Sequence, residues 1–145
     1  MNSGTILLVE DNSSDVGLTR RALKQSGIHN DLLVVEDGQE ALDYLFCTGR
    51  YLDNGSRDLP VLVLLDLKLP GIGGLEVLRR MRSATRTRRV PVVILTSSTE
   101  EQDIAAGYDL GVNSYIRKPV DFHRFAEVIK QLGLYWLALN VMVAA

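Results

Sequence analysis

Five residues could do chemistry together if the fold gathers them: Glu10, Asp11, Asp66, Thr96 and Lys118. Each follows or ends an apolar run. Asp66 ends Val61-Leu62-Val63-Leu64-Leu65, a continuous stretch of the kind that forms a strand buried on both faces of a parallel sheet. Glu10 and Asp11 end Thr5-Ile6-Leu7-Leu8-Val9, Thr96 ends Val90-Pro91-Val92-Val93-Ile94-Leu95, and Lys118 follows Val112 to Ile116. Taken alone, Asp66 reads as an ordinary strand-ending acid that starts a turn, since Pro70, Gly71, Gly73 and Gly74 follow. Parallel strands put their carboxyl ends on one edge, where ligands bind in open α/β sheets. Three carboxylates crowded there repel by about 3 kcal/mol per pair at ~5 Å and an effective dielectric of ~20. Such a cluster needs compensating cations: Lys118 is one, and a hard divalent ion with oxygen ligands, such as Mg²⁺, is the other. With the Thr96 hydroxyl as a donor, the set fits phosphoryl transfer, and an exposed carboxylate can serve as the nucleophile through an aspartyl phosphate.

The elements that must position these residues follow from the pattern between them. Asn12, Ser13 and Ser14 offer N-caps for a helix to about Gly27. Asp31 to Val35 reads as a short strand, and the Asp37/Glu40 spacing opens a helix through about Phe46. Residues 47–60 are polar, with Gly49, Asn54 and Gly55, and read as a long surface loop that Cys47 begins. A helix is expected from Gly73 to about Ser83 with Leu75, Leu78 and Met81 inward, and another from the Ser98/Glu101 capping box to about Tyr108. A last helix should run from about Asp121 towards Leu139. Five strands alternating with five helices predict an α/β fold: a five-stranded parallel sheet covered on both faces, in the flavodoxin-like order 2-1-3-4-5.

Composition bounds the function. The 145 residues favour one domain, and 46% hydrophobic with 23% charged residues is ordinary for a soluble globular chain. A net charge of −2 and a pI near 5.7 argue against general nucleic-acid binding. The basic run Arg79, Arg80, Arg82, Arg86, Arg88 and Arg89 lacks interleaved aromatics and reads as a solvated helix end. One cysteine, Cys47, permits no internal disulfide, which fits a cytoplasmic setting. No apolar run reaches a membrane span of ~20 residues, and the first residues lack the features of a signal peptide. His29 and His123 have no ligand spacing and read as surface residues.

In order along the chain, Leu7-Leu8-Val9-Glu10-Asp11-Asn12, Leu64-Leu65-Asp66-Leu67-Lys68-Leu69-Pro70 with Gly74, Leu95-Thr96-Ser97 and Tyr115-Ile116-Arg117-Lys118-Pro119 make the sequence resemble the receiver domain of two-component response regulators, from Thr5 to about Leu137. The resemblance implies a signalling phosphoacceptor rather than an enzyme acting on an external substrate. It implies that Asp66 takes the phosphoryl group from a histidine kinase. Asp11 matches the direct Mg²⁺ ligand, Glu10 the acid that holds a metal-bound water, and the backbone carbonyl of Lys68 the third protein ligand. Lys118 should pair with one phosphoryl oxygen and Thr96 with another. Tyr115 occupies the aromatic switch position, Lys118-Pro119 resembles the family's cis peptide, and Lys68 and Ser98 occupy positions that tune dephosphorylation. The Ile28-His29-Asn30 segment, the long loop before Asp66 and Tyr135-Trp136-Leu137 are similar to single-domain regulators paired with phytochrome-type kinases. Gly71-Ile72-Gly73-Gly74 departs from the family, which more often has Asp or Ser before the final Gly, so the loop after Asp66 is expected to be more mobile.

Three rival readings fit the residues less well. A haloacid-dehalogenase-type phosphatase would want a second Asp where Lys68 stands, and a cap domain. A flavodoxin-like electron carrier would want a hydroxyl- and glycine-rich phosphate loop in place of Glu10 and Asp11. A pseudo-receiver would not need the complete acid, Thr and Lys set. Finally, no charged side chain follows Lys130, and adjacent apolar residues in the extension of the last helix (about 133–145) exceed one core-facing stripe. A homodimer through that segment is expected, with a tail folded back over the domain as the alternative.

Overall fold

The computed structural model describes residues 4–25, 27–54, 59–96, 101–112 and 114–118. The elements run β1 (Ile6–Val9), α1 (Ser13–Gln25), β2 (Leu32–Val35), α2 (Gly38–Phe46), a 3-10 helix (Gly49–Asn54), β3 (Leu62–Leu65), α3 (Gly74–Ser83), β4 (Val92–Thr96), α4 (Glu101–Asp109) and β5 (Ser114–Arg117). All five strands are parallel, in the order β2-β1-β3-β4-β5. The doubly wound order expected from the apolar runs is therefore the one observed. The expected fifth helix, the apolar segment 133–145, Ser98 and the Lys118-Pro119 bond lie outside the described residues.

Side-chain alternation along the strands divides the core in two. Leu7, Val9, Val63, Leu65, Val92 and Ile94 face one side, where Ala41, Leu42 and Leu45 of α2 and Val77, Leu78 and Met81 of α3 pack against them. Ile6, Leu8, Leu62, Leu64, Val93 and Leu95 face the other, against Ala22 and Leu23 of α1. Burial on both faces explains why these strands carry no polar residue until their ends.

Helix starts follow the capping residues. The Asp37 side chain accepts from the Glu40 N–H at 2.7 Å, and Glu40 reaches back to the Glu36 N–H at 3.2 Å, one residue earlier than the simple capping box. Asn12 Oδ1 accepts from the Asp15 N–H at 3.1 Å and opens α1. On α3 the buried stripe is Gly74, Val77, Leu78 and Met81, so Leu75, expected inward, is only half-buried and Val77 takes the central place.

Two expectations need correction. The segment 47–60 is not simply a surface loop, for the 3-10 helix docks on α2. Glu40 accepts from Arg50 at 2.9 Å and from the Tyr51 hydroxyl at 3.2 Å, and the Tyr51 ring meets Tyr44 edge-on at 5.3 Å. Cys47 at its start is buried, in a left-handed conformation (φ 56°) that ends α2. The arginine run, too, is only partly a solvated helix end. Arg79 and Arg80 bond Glu76 on the exposed face. Arg82 is half-buried and bonds the carbonyls of Gly111, Arg88 and Val90, while Arg86 bonds the Leu45 carbonyl. Arg82 uses the planar fork of its guanidinium to hold several carbonyls at once, and Arg86 ties its loop to the last turn of α2.

Candidate functional site

The register of the sheet brings the expected residues together. Val9 pairs with Leu65, so Glu10 and Asp66 leave neighbouring strands side by side. The Asp66 N–H bonds the Val9 carbonyl at 3.0 Å, and the Glu10 N–H turns the other way to Val35 at 2.9 Å. This is the point where the strand order reverses, the crevice in which doubly wound sheets bind ligands. Oxygens of Glu10, Asp11 and Asp66 lie within 4.8 Å of one another, with Glu10 and Asp66 buried and Asp11 exposed.

Across the sheet, Thr96 ends β4 fully buried, and its carbonyl accepts the Lys118 N–H at 2.6 Å, which starts Lys118 back over the site. The Lys118 ammonium lies 2.5 Å from Glu10 Oε1, 2.8 Å from Asp15 Oδ2 and 3.6 Å from Asp66 Oδ2. The other Asp66 oxygen, Oδ1, accepts the Lys68 N–H at 3.3 Å. Tyr115 on β5 is half-buried, beside Ile94 in the ladder.

Burial pushes Glu10 up from an ordinary 4.5 to about 7; Lys118 pulls it down, and the neighbouring Asp66 adds to the rise. Burial works against the Lys118 ammonium, but its hydrogen bonds with Asp15 and Glu10 outweigh that and hold its pKa above the usual lysine value. The site thus has more buried negative charge than one lysine satisfies. Three clustered carboxylates, two of them buried and Asp11 exposed, are the donor set of a hard divalent cation, and the residues fit such an ion.

The loop after Asp66 has a tight constraint. A Cβ on Gly74 would lie 2.2 Å from the Asp66 carbonyl oxygen and 2.7 Å from the Leu67 Cα, so only glycine lets α3 start so close to the site. The Gly74 N–H ties back to the Leu67 carbonyl at 3.0 Å, and Gly71 takes the left-handed turn (φ 71°).

One participant escaped the sequence. Asp15 stands in the first turn of α1, where an acid reads as a complement to the helix dipole. No local signal marks it as a site residue, because its partner Lys118 stands 103 residues further along the chain.

A parallel doubly wound sheet with an acidic cluster and a lysine at its switch point defines a class of proteins that handle phosphoryl groups or metal ions on strand-end carboxylates. Residues 6–130 match the response regulator receiver domain, and the chain belongs to that family. It is 42% identical over 135 residues to the probable methanogenesis regulatory protein FilR2 of Methanothrix harundinacea, covering 93% of this chain and 84% of that one. It is 38% identical to the response regulator Rcp1 of Synechocystis, covering 97% and 93%; the Mn²⁺-bound structure of Rcp1 matches with a TM-score of 0.85 at 35% identity over 97% and 99%. The phosphorylated cyanobacterial phytochrome response regulator RcpA matches with a TM-score of 0.86 at 38% identity, covering 97% and 99%. The chain is a phosphoacceptor-type signalling receiver of two-component systems, and the phosphatase, electron-carrier and pseudo-receiver readings give way to it. Among the described residues no helix is long and apolar enough to cross a membrane.

Proposed function

We propose that Asp66 accepts a phosphoryl group from the phosphohistidine of a sensor kinase, with Mg²⁺ held by Asp11, Glu10, Asp66 and the Lys68 carbonyl. What supports this above all is the grouping of the three acids with Lys118 at the β1/β3 crevice. Bound Mg²⁺ would neutralise the acids and draw charge from the phosphoryl oxygens. Asp66 Oδ1 is engaged by the Lys68 N–H, which leaves Oδ2, on the lysine side, to attack phosphorus as the bond to the donor nitrogen breaks. Lys118 then pairs with one phosphoryl oxygen and the Thr96 hydroxyl donates to another. The inward shift of Thr96 opens space for Tyr115 to turn, a two-state element biased by local charge. Lys68 and Ser98 tune the lifetime of the phosphorylated state.

The kinase is of the phytochrome type, a reading that rests on similarity to RcpA. The chain is one receiver domain working in the cytoplasm. It binds neither nucleic acid nor membrane, and it dimerises through the uncharged segment after Lys130. Incubation with acetyl phosphate and Mg²⁺ should add one phosphoryl group to wild type and none to Asp66→Asn, and Asp11→Ala should lose most of the Mg²⁺ dependence. Equal uptake by Asp66→Asn overturns the assignment.

A further inference from the structure

Lys118 carries three N–H donors, and in the unphosphorylated protein two of them are committed elsewhere than Asp66. Glu10 takes one at 2.5 Å, and Asp15, from a different element, takes another at 2.8 Å. The Asp66 oxygen at 3.6 Å is beyond hydrogen-bond reach. Glu10 is fixed by burial at the end of β1, whereas Asp15 is about one-third exposed on the first turn of α1, so water can replace the lysine there. The Asp15 N–H is bonded to Asn12 Oδ1, which anchors its backbone and holds the carboxylate over the ammonium.

We propose that Asp15 is a positioning residue that holds Lys118 off Asp66 until a phosphoryl group arrives. The inference rests on the reading of Asp66 as phosphoacceptor. When Asp66 Oδ2 bonds to phosphorus and the donor's bridging P–O or P–N bond breaks, the leaving group departs with the bonding pair. The new oxygens then outbid Asp15 for the lysine. Asp15 thereby sets a cost on the phosphorylated state: the ion pair with Lys118 must be given up, and its carboxylate left to water. Removing the charge removes that cost. A partly exposed ion pair of this kind sets an effect of about three- to fivefold.

The test uses Asp15→Asn, nearly isosteric, with Asp15→Ser as a second variant should the first fold poorly. In the metal-free crystal structure of Asp15→Asn, the Lys118 ammonium should close to about 3 Å from Asp66 Oδ2. A lysine still out of hydrogen-bond reach of Asp66 overturns the proposal. The initial rate of phosphorylation by acetyl phosphate with Mg²⁺ should rise by about three- to fivefold. A merely structural role would leave it unchanged or lower it, and either result overturns the proposal. In a Lys118→Ala background, followed for as long as slow uptake requires, Asp15→Asn should add nothing. The same gain there assigns the effect to the field of Asp15 rather than to its hold on Lys118, and also overturns it. Failure of the parent reading looks different: wild type takes up no phosphoryl group, or Asp66→Asn takes it up equally.

Discussion

Glu10 offers a quantitative test of the site's electrostatics, with Glu10→Gln and pH as the perturbations. Its carboxyl is raised from an ordinary 4.5 to about 7, by burial first and by Asp66 next, against the pull of Lys118. The folded protein therefore holds this proton more tightly than the unfolded chain does. The resulting stability is fully present below pH 4.5 and is lost as pH rises to about 7. The interval corresponds to at most about 3 kcal/mol, to be reduced by whatever water the open side of the crevice admits. Urea unfolding of the metal-free protein at pH 5 to 8 measures it, with Glu10→Gln as the reference that lacks the group. Wild type should lose stability relative to Glu10→Gln as pH rises through that window, and saturating Mg²⁺ should reverse the loss by binding the ionised form. Mg²⁺ affinity should climb about tenfold from pH 6 to 8, because a proton on Glu10 competes with the metal. A wild-type-minus-variant difference that stays constant from pH 5 to 8 refutes the burial argument.

Three further outcomes concern the scaffold. Leu78→Ala, which empties a fully buried position of α3, should cost about 2–5 kcal/mol in urea unfolding. Gly74→Ala must push the Asp66 carbonyl away from a Cβ 2.2 Å distant, so both stability and the rate of acetyl-phosphate uptake should fall. Arg82→Ala frees the carbonyls of Gly111, Arg88 and Val90 and should cost about 1–3 kcal/mol, whereas Arg88→Ala, at an exposed position, should stay within about 0.5 kcal/mol.

Most of the fold was legible because the strands are buried on both faces. Ile6–Val9, Leu62–Leu65 and Val92–Thr96 have no polar break to obscure them, and their acids and hydroxyls fall where the sheet opens to solvent. The site was legible for the same reason: parallel strands in register put Glu10 and Asp66 together without any detail of packing. Contacts set by three-dimensional reach were not. Asp15 looks like a helix-dipole acid until Lys118, far along the chain, folds over it. Arg82 and Arg86 look solvated because carbonyls they bind are brought up by the fold: Gly111 in the turn after α4 for Arg82, and Leu45 in the last turn of α2 for Arg86. The 3-10 helix at Gly49–Asn54 has weak local signals, and it is tied down by Glu40 and Tyr44 of α2.

If Asp66 is the phosphoacceptor, the phosphoryl group resides on it and on no other acid of the cluster. Borohydride reduces an acyl phosphate to an alcohol, so a phosphorylated aspartate becomes homoserine and can be located by peptide mass spectrometry. After treatment with acetyl phosphate and Mg²⁺, homoserine at position 66 is the predicted result. Reduction product at Asp11, Asp15 or Glu10 instead, or none at position 66 in a protein that has gained a phosphoryl group, would contradict the account.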